Sequence, residues 1–95
     1  MDLKVITLFN RLYGRDFNSR CKKLREECLE LIEAIDNLSI APKDGELDHF
    51  IDEMGDVEAL ITHIGNILNI SRNDILKGAI NKVERRIIEP NYKRD

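Results

Sequence analysis

Ninety-five residues carrying a formal charge of −3 fit one domain, and a chain of this size buries roughly 60–70% of its unfolded surface without needing a disulfide framework. The acidic balance argues against a general nucleic-acid binder, which presents a dense basic face. No apolar run reaches the roughly 18–20 residues of a membrane span, and Asp2 and Lys4 interrupt any secretory signal at the N-terminus. Cys21 and Cys28 stand seven apart, about 10 Å along a helix and too far to bridge within it, so the expected setting is reducing and cytoplasmic. With 42% hydrophobic residues, 35% charged and no Trp, the composition is that of amphipathic helices, and the expected class is all-α.

Met1 to Tyr13 reads as a first helix, with Leu3, Ile6, Leu8, Phe9, Leu12 and Tyr13 on one face and Asp2 as a cap. Gly14-Arg15-Asp16 breaks it. Asn18 or Ser19 is the expected cap of a second helix running to about Leu38. The stretch Ser39 to Gly45, with Pro42 and Asp44-Gly45, reads as a loop. A third helix, from near Glu46 to near Ile70, carries the longest apolar stripe of the chain. Gly55 and Gly65 interrupt that helix at a cost of ~1 kcal/mol each, which a close helix approach or a ligand would explain. Ser71 followed by Asp74 resembles a capping box opening a fourth helix, which Pro90 stops. The whole chain, 1–95, is then one domain with a short tail from about residue 90.

The second helix carries Glu26, Glu27, Glu30 and Glu33 among apolar residues at helical spacing. Steps of about 100° place Glu27 at the margin of the apolar stripe with Glu30 close to the same line. Glu53 and Asp56 lie likewise at the margin of the third helix. An antiparallel hairpin would bring the four carboxylates together, a site for hard divalent cations such as Mg2+, with Mn2+ able to substitute and Glu26 close by. The alternative is two solvated acidic faces. Lys82 and Arg86 share a face of the fourth helix, either as phosphate-contacting cations or as charges favoured by the helix dipole. His49 and His63 fall near the face of Asp56 and could add nitrogen ligands, and Glu46-x-x-His49 has the form of a diiron half-site, although partly exposed positions outside any site are the simpler reading. Phe9, Tyr13 and Phe17 could stack a base, but at this spacing they read first as core.

Glu26-Glu27-x-x-Glu30, 22 residues, then Glu53-x-x-Asp56 resembles the EExxE and ExxD signature of the MazG-like all-α nucleoside triphosphate pyrophosphohydrolases. Asp52 to Val57, DEMGDV, is similar to the family's E-E-L-G-D-L/V run, and Asn81 to Arg86, NKVERR, resembles its K-F-x-R-R segment. The resemblance implies a four-helix, bundle-like fold that forms a dimer or a dimer of dimers. It implies hydrolysis of a (d)NTP between its α and β phosphates, giving monophosphate and pyrophosphate. It also implies Glu27, Glu30, Glu53 and Asp56 as catalytic metal ligands, with Lys82, Arg86 and the adjacent Arg85 binding substrate. Either Glu27 or Glu30 would then take the proton of the attacking water. A first-helix Trp found in parts of the family is missing, and Val83 stands where Phe is usual. Phosphoribosyl-ATP pyrophosphohydrolases have a similar fold, but their Ser-Tyr-Thr stretch ahead of the acidic helix has no counterpart here. A non-catalytic helical interaction module is the remaining alternative.

Overall fold

A computed structural model describes residues 2–40, 43–89 and 91. Four helices follow one another: α1 (Asp2–Tyr13), α2 (Phe17–Ile40), α3 (Glu46–Ile67) and α4 (Arg72–Ile88). The all-α expectation holds, with no strand among the described residues.

Helix ends are set by local chemistry. Gly14, at φ 73°, adopts the left-handed conformation that L side chains resist, and its N–H closes α1 on Asn10 O at 3.0 Å. The cap of α2 is Asp16 rather than Asn18 or Ser19, because Asp16 Oδ2 accepts from the Ser19 N–H at 2.8 Å. Three cap-forming residues within four positions, Asp16, Asn18 and Ser19, make this start ambiguous in sequence. Asp2 lies in the first turn of α1 and pairs with Arg72 at 3.7 Å. α2 runs two residues past Leu38. α3 stops three residues before Ile70, where Asn69 turns left-handed at φ 59°. There the Ile70 N–H reaches Gly65 O at 2.7 Å and the Asn69 N–H reaches Asn66 O at 3.0 Å, the paired closing bonds of a Schellman motif. The Ser71–Asp74 capping box is present, each side chain accepting from the other's backbone N–H at 3.1 Å. The expected proline turn at Pro42, the stop at Pro90 and the tail residue Tyr92 lie outside the described residues.

The α2–α3 pair forms the centre of the fold and runs antiparallel: Glu30 clusters with Glu53, while Glu27 interacts with Asp56 and Arg20 with His63, a reversed order along the two helices. Ala34, Leu60, Ile64 and Gly65 are buried in this thin core, and α1 packs across the far end of α3. The last helix, α4, packs on α3 and also reaches α1 through the Arg72–Asp2 pair. A methyl group on Gly65 would lie 3.0 Å from Ile70 O and 3.1 Å from Ile75 Cδ1, so close helix approach explains that glycine. Nothing lies within 4 Å of the corresponding position at Gly55, and packing within the chain gives no reason for it.

One buried polar group ties α1 to α3. His63 is fully buried, edge-on to Phe9, with Nε2 2.9 Å from Asn10 Oδ1. Arg15 also donates to that oxygen at 2.9 Å and to Asn66 Oδ1 at 2.8 Å. Because Asn10 Oδ1 accepts, Nε2 carries the proton, and Nδ1 is buried with no hydrogen-bond partner. Burial, followed by the charges of Arg20 and Arg15, holds the imidazole below its ordinary pKa of 6.5. A depressed folded-state value means that His63 contributes stability above about pH 6.5, and this is lost as pH falls through the folded value. The wild-type melting temperature should therefore drop more steeply between pH 7 and 5 than that of His63→Leu; equal slopes would remove His63 as the cause.

Candidate functional site

Three of the four expected ligands meet. Carboxylate oxygens of Glu27, Glu30 and Glu53 lie within 4.8 Å of one another, although Glu27 and Glu53 are buried side chains. Their positions follow from the sequence: Glu27 and Glu30 stand a turn apart on α2, and the antiparallel partner brings Glu53 opposite them. Lys23 Nζ approaches Glu27 Oε1 at 3.2 Å and Glu26 at 3.7 Å. The second oxygens of Glu27 and Glu53 are buried without any hydrogen-bond partner. Orphaned carboxylate oxygens inside an acidic cluster are costly unless a cation completes them.

The electrostatics carry the same signature. A hydrogen bond shared with Glu27, then the charges of Glu27 and Glu53 and partial burial, raise the Glu30 carboxyl above its ordinary range against the pull of Lys23. Partial desolvation, and then the charges of Glu27 and Asp52, raise Asp56. A raised carboxyl favours the folded state below the ordinary carboxylate pKa, and that contribution is lost as pH rises through the folded value. At neutral pH the apo cluster therefore carries a repulsion that a bound divalent ion would remove.

Asp56, one turn beyond Glu53, is exposed and stands outside the tight cluster, yet it faces Glu27 across a cleft of about 60 Å³. Leu60, Phe9, Tyr13, Arg20 and Lys23 also line it. The aromatic pair packs edge to face at 5.2 Å, and the Arg20 guanidinium covers the Tyr13 ring at 4.6 Å. The reading of Phe9 and Tyr13 as core thus needs correction, since both rings line the cleft and Tyr13 is 47% exposed. Arg20 and Lys23 were not singled out from sequence, although their i, i+3, i+7 register with Glu27 puts all three on one face of α2.

The other expected residues are placed differently. Glu26 points outward as a partner of Lys23. His49 is exposed, its Nε2 3.8 Å from Glu53 Oε1, and Glu46 of the half-site pattern instead accepts from the Lys43 N–H at 2.9 Å. His63 is the buried partner of Asn10 described above. Lys82, Arg85 and Arg86 lie exposed on α4, whose contacts with the rest of the chain include Ile75 against Gly65 and Arg72 with Glu58 at 2.6 Å and with Asp2. Among the described residues α4 does not pack against α2, so these cations are not brought to the acids by helix packing within one chain.

In comparison with known proteins, the family model described as MazG nucleotide pyrophosphohydrolase domain matches residues 15–89. No curated protein and no solved structure gives a significant match.

Proposed function

The chain belongs to the MazG nucleotide pyrophosphohydrolase domain family, and from that premise we propose that it is a Mg2+-dependent enzyme that cleaves (d)NTP to (d)NMP and pyrophosphate. The observation that carries the metal part is the pair of buried, unpartnered oxygens of Glu27 and Glu53 inside the acidic cluster. Glu27, Glu30 and Glu53 would hold Mg2+, or Mn2+ in its place, with Asp56 as the fourth carboxylate; Glu26 is left out because it turns toward Lys23. The ion supplies charge neutralisation to the triphosphate and to the departing pyrophosphate, which four carboxylates would otherwise repel.

The protein's own groups do the rest. One carboxylate of Glu27 and Glu30 accepts a proton from the water that attacks phosphorus; a new P–O bond forms, and the bridging bond between the α and β phosphates breaks. Lys82, Arg85 and Arg86 bind the phosphates from α4 of a second copy, because α4 packs away from α2 in its own chain.

Assembly is part of the reading. The chain exposes 7721 Å², against about 5,600 Å² expected of a compact monomer of 11.0 kDa. Leu76, Ile80, Val83 and Ile87 form an apolar line along α4 with exposures of 44–64%, and Leu29 and Ile32 are open on α2. A homodimer, or a homotetramer built from dimers, covers these faces. Light scattering at micromolar concentration should give one of those masses, and a monomer would contradict it. The unbridged thiols of Cys21 and Cys28 support a cytoplasmic setting, and among the described residues no helix is long and apolar enough to cross a membrane. The activity is tested with a panel of ribo- and deoxynucleoside triphosphates and MgCl2, the products being separated by ion-exchange chromatography. Monophosphate with pyrophosphate supports the reading, whereas diphosphate with orthophosphate would place the enzyme in another class.

A further inference from the structure

The cleft beside the acidic cluster is lined by two chemically different sets of groups, the carboxylates of Glu27 and Asp56 and the rings of Phe9 and Tyr13 with the Arg20 guanidinium. Arg20 and Glu27 lie on the same face of α2, seven residues and so about 10 Å apart along its axis. With the phosphates held at the carboxylates, that span is filled by a sugar and base, which puts the nucleobase against Tyr13 and Arg20.

Arg20 is suited to read a base edge. Its guanidinium rests on the Tyr13 ring at 4.6 Å and makes one long contact with Ser19 Oγ at 3.5 Å. Among the described residues it has no carboxylate partner. A guanidinium only donates, and its two parallel N–H groups match two acceptors that stand side by side. Guanine offers such a pair at O6 and N7, and cytosine offers one at O2 and N3. Adenine sets a donating amino group beside N7, and uracil and thymine place an N–H between their carbonyls, so each of them presents a donor to a donor.

We propose that Arg20 is the base-reading residue of this site, selecting nucleotides whose base carries two adjacent acceptors, cytosine and guanine, over adenine, uracil and thymine. The proposal rests on the nucleotide pyrophosphohydrolase reading and adds the substrate class. Arg20 approaches the base alone; the phosphates are left to the metal and the other cations.

The test is kcat and KM for CTP, GTP, UTP and ATP with the wild type, Arg20→Gln and Arg20→Lys, each variant first shown to melt as the wild type does at pH 8. The wild type should favour CTP and GTP over UTP and ATP by about 10-fold or more in kcat/KM, the discrimination of one bidentate pair. Arg20→Gln should raise KM for CTP and GTP with little change in kcat and bring the four substrates to near parity. Arg20→Lys, which keeps the charge and loses the fork, should not restore the preference. An equal loss for all four bases, rescue by Lys, or an unchanged ranking would each overturn the assignment while leaving the pyrophosphohydrolase reading intact. Failure of the wild type to hydrolyse any nucleotide would instead remove that reading, and this one with it.

Discussion

Saturating Mg2+ or Mn2+ should raise the melting temperature of the wild-type protein by about 10 °C or more, and Glu30→Gln should abolish most of that rise while melting higher than the wild type in EDTA. The first part follows from linkage: an ion present at about 100 times its Kd adds about 2.7 kcal/mol, and for a chain of this size each kcal/mol moves the midpoint by about 4–8 °C. The second part follows from the cluster itself. Glu30 lies within 4.8 Å of the carboxylates of Glu27 and Glu53, so neutralising it relieves a repulsion in the apo protein, and the same change removes a ligand. A module whose acids only keep it soluble behaves otherwise: its melting temperature is indifferent to divalent ions, and Glu30→Gln changes nothing.

Turnover should fall by at least about 100-fold in both Glu53→Gln and Asp56→Asn, since even removal of groups that merely support metal ligands costs 10–100-fold. The far-UV circular dichroism should be unchanged, because each substitution keeps the shape of the side chain on a helix stabilised elsewhere. The two variants should then separate. Glu53 belongs to the tight trio and its Oε2 is buried without a partner, so Glu53→Gln also loses the thermal response to metal. Asp56 is exposed and stands outside the trio, so Asp56→Asn keeps part of that response while losing activity. Wild-type rates in both would remove α3 from the site.

The difference between Glu53 and Asp56 also marks how far the sequence could be read. Helical spacing was enough to place Glu27, Glu30 and Glu53 on the margins of two apolar stripes, and an antiparallel hairpin follows from the short connection between them. It does not tell which carboxylates are buried, because that depends on the depth at which α2 and α3 pack. Helix ends were readable where one residue had a single role, as at Ser71 and Asp74, and less so where several cap types adjoin, as from Asp16 to Ser19. Asn69 was missed as the left-handed terminator of α3, since only glycine is a strong signal for that position. The cleft wall was missed for another reason: Phe9 and Tyr13 have the spacing of core residues, and only the way α1 crosses α3 shows that they border open space beside Arg20.

The most direct measurement is a 31P NMR time course of one nucleoside triphosphate with the purified protein, first in EDTA and then after MgCl2 is added. The account expects no change in EDTA, followed by equal growth of monophosphate and pyrophosphate signals once Mg2+ is present. Diphosphate with orthophosphate, or hydrolysis that proceeds as fast in EDTA, would contradict the claim that Glu27, Glu30, Glu53 and Asp56 form a divalent-metal centre for cleavage between the α and β phosphates.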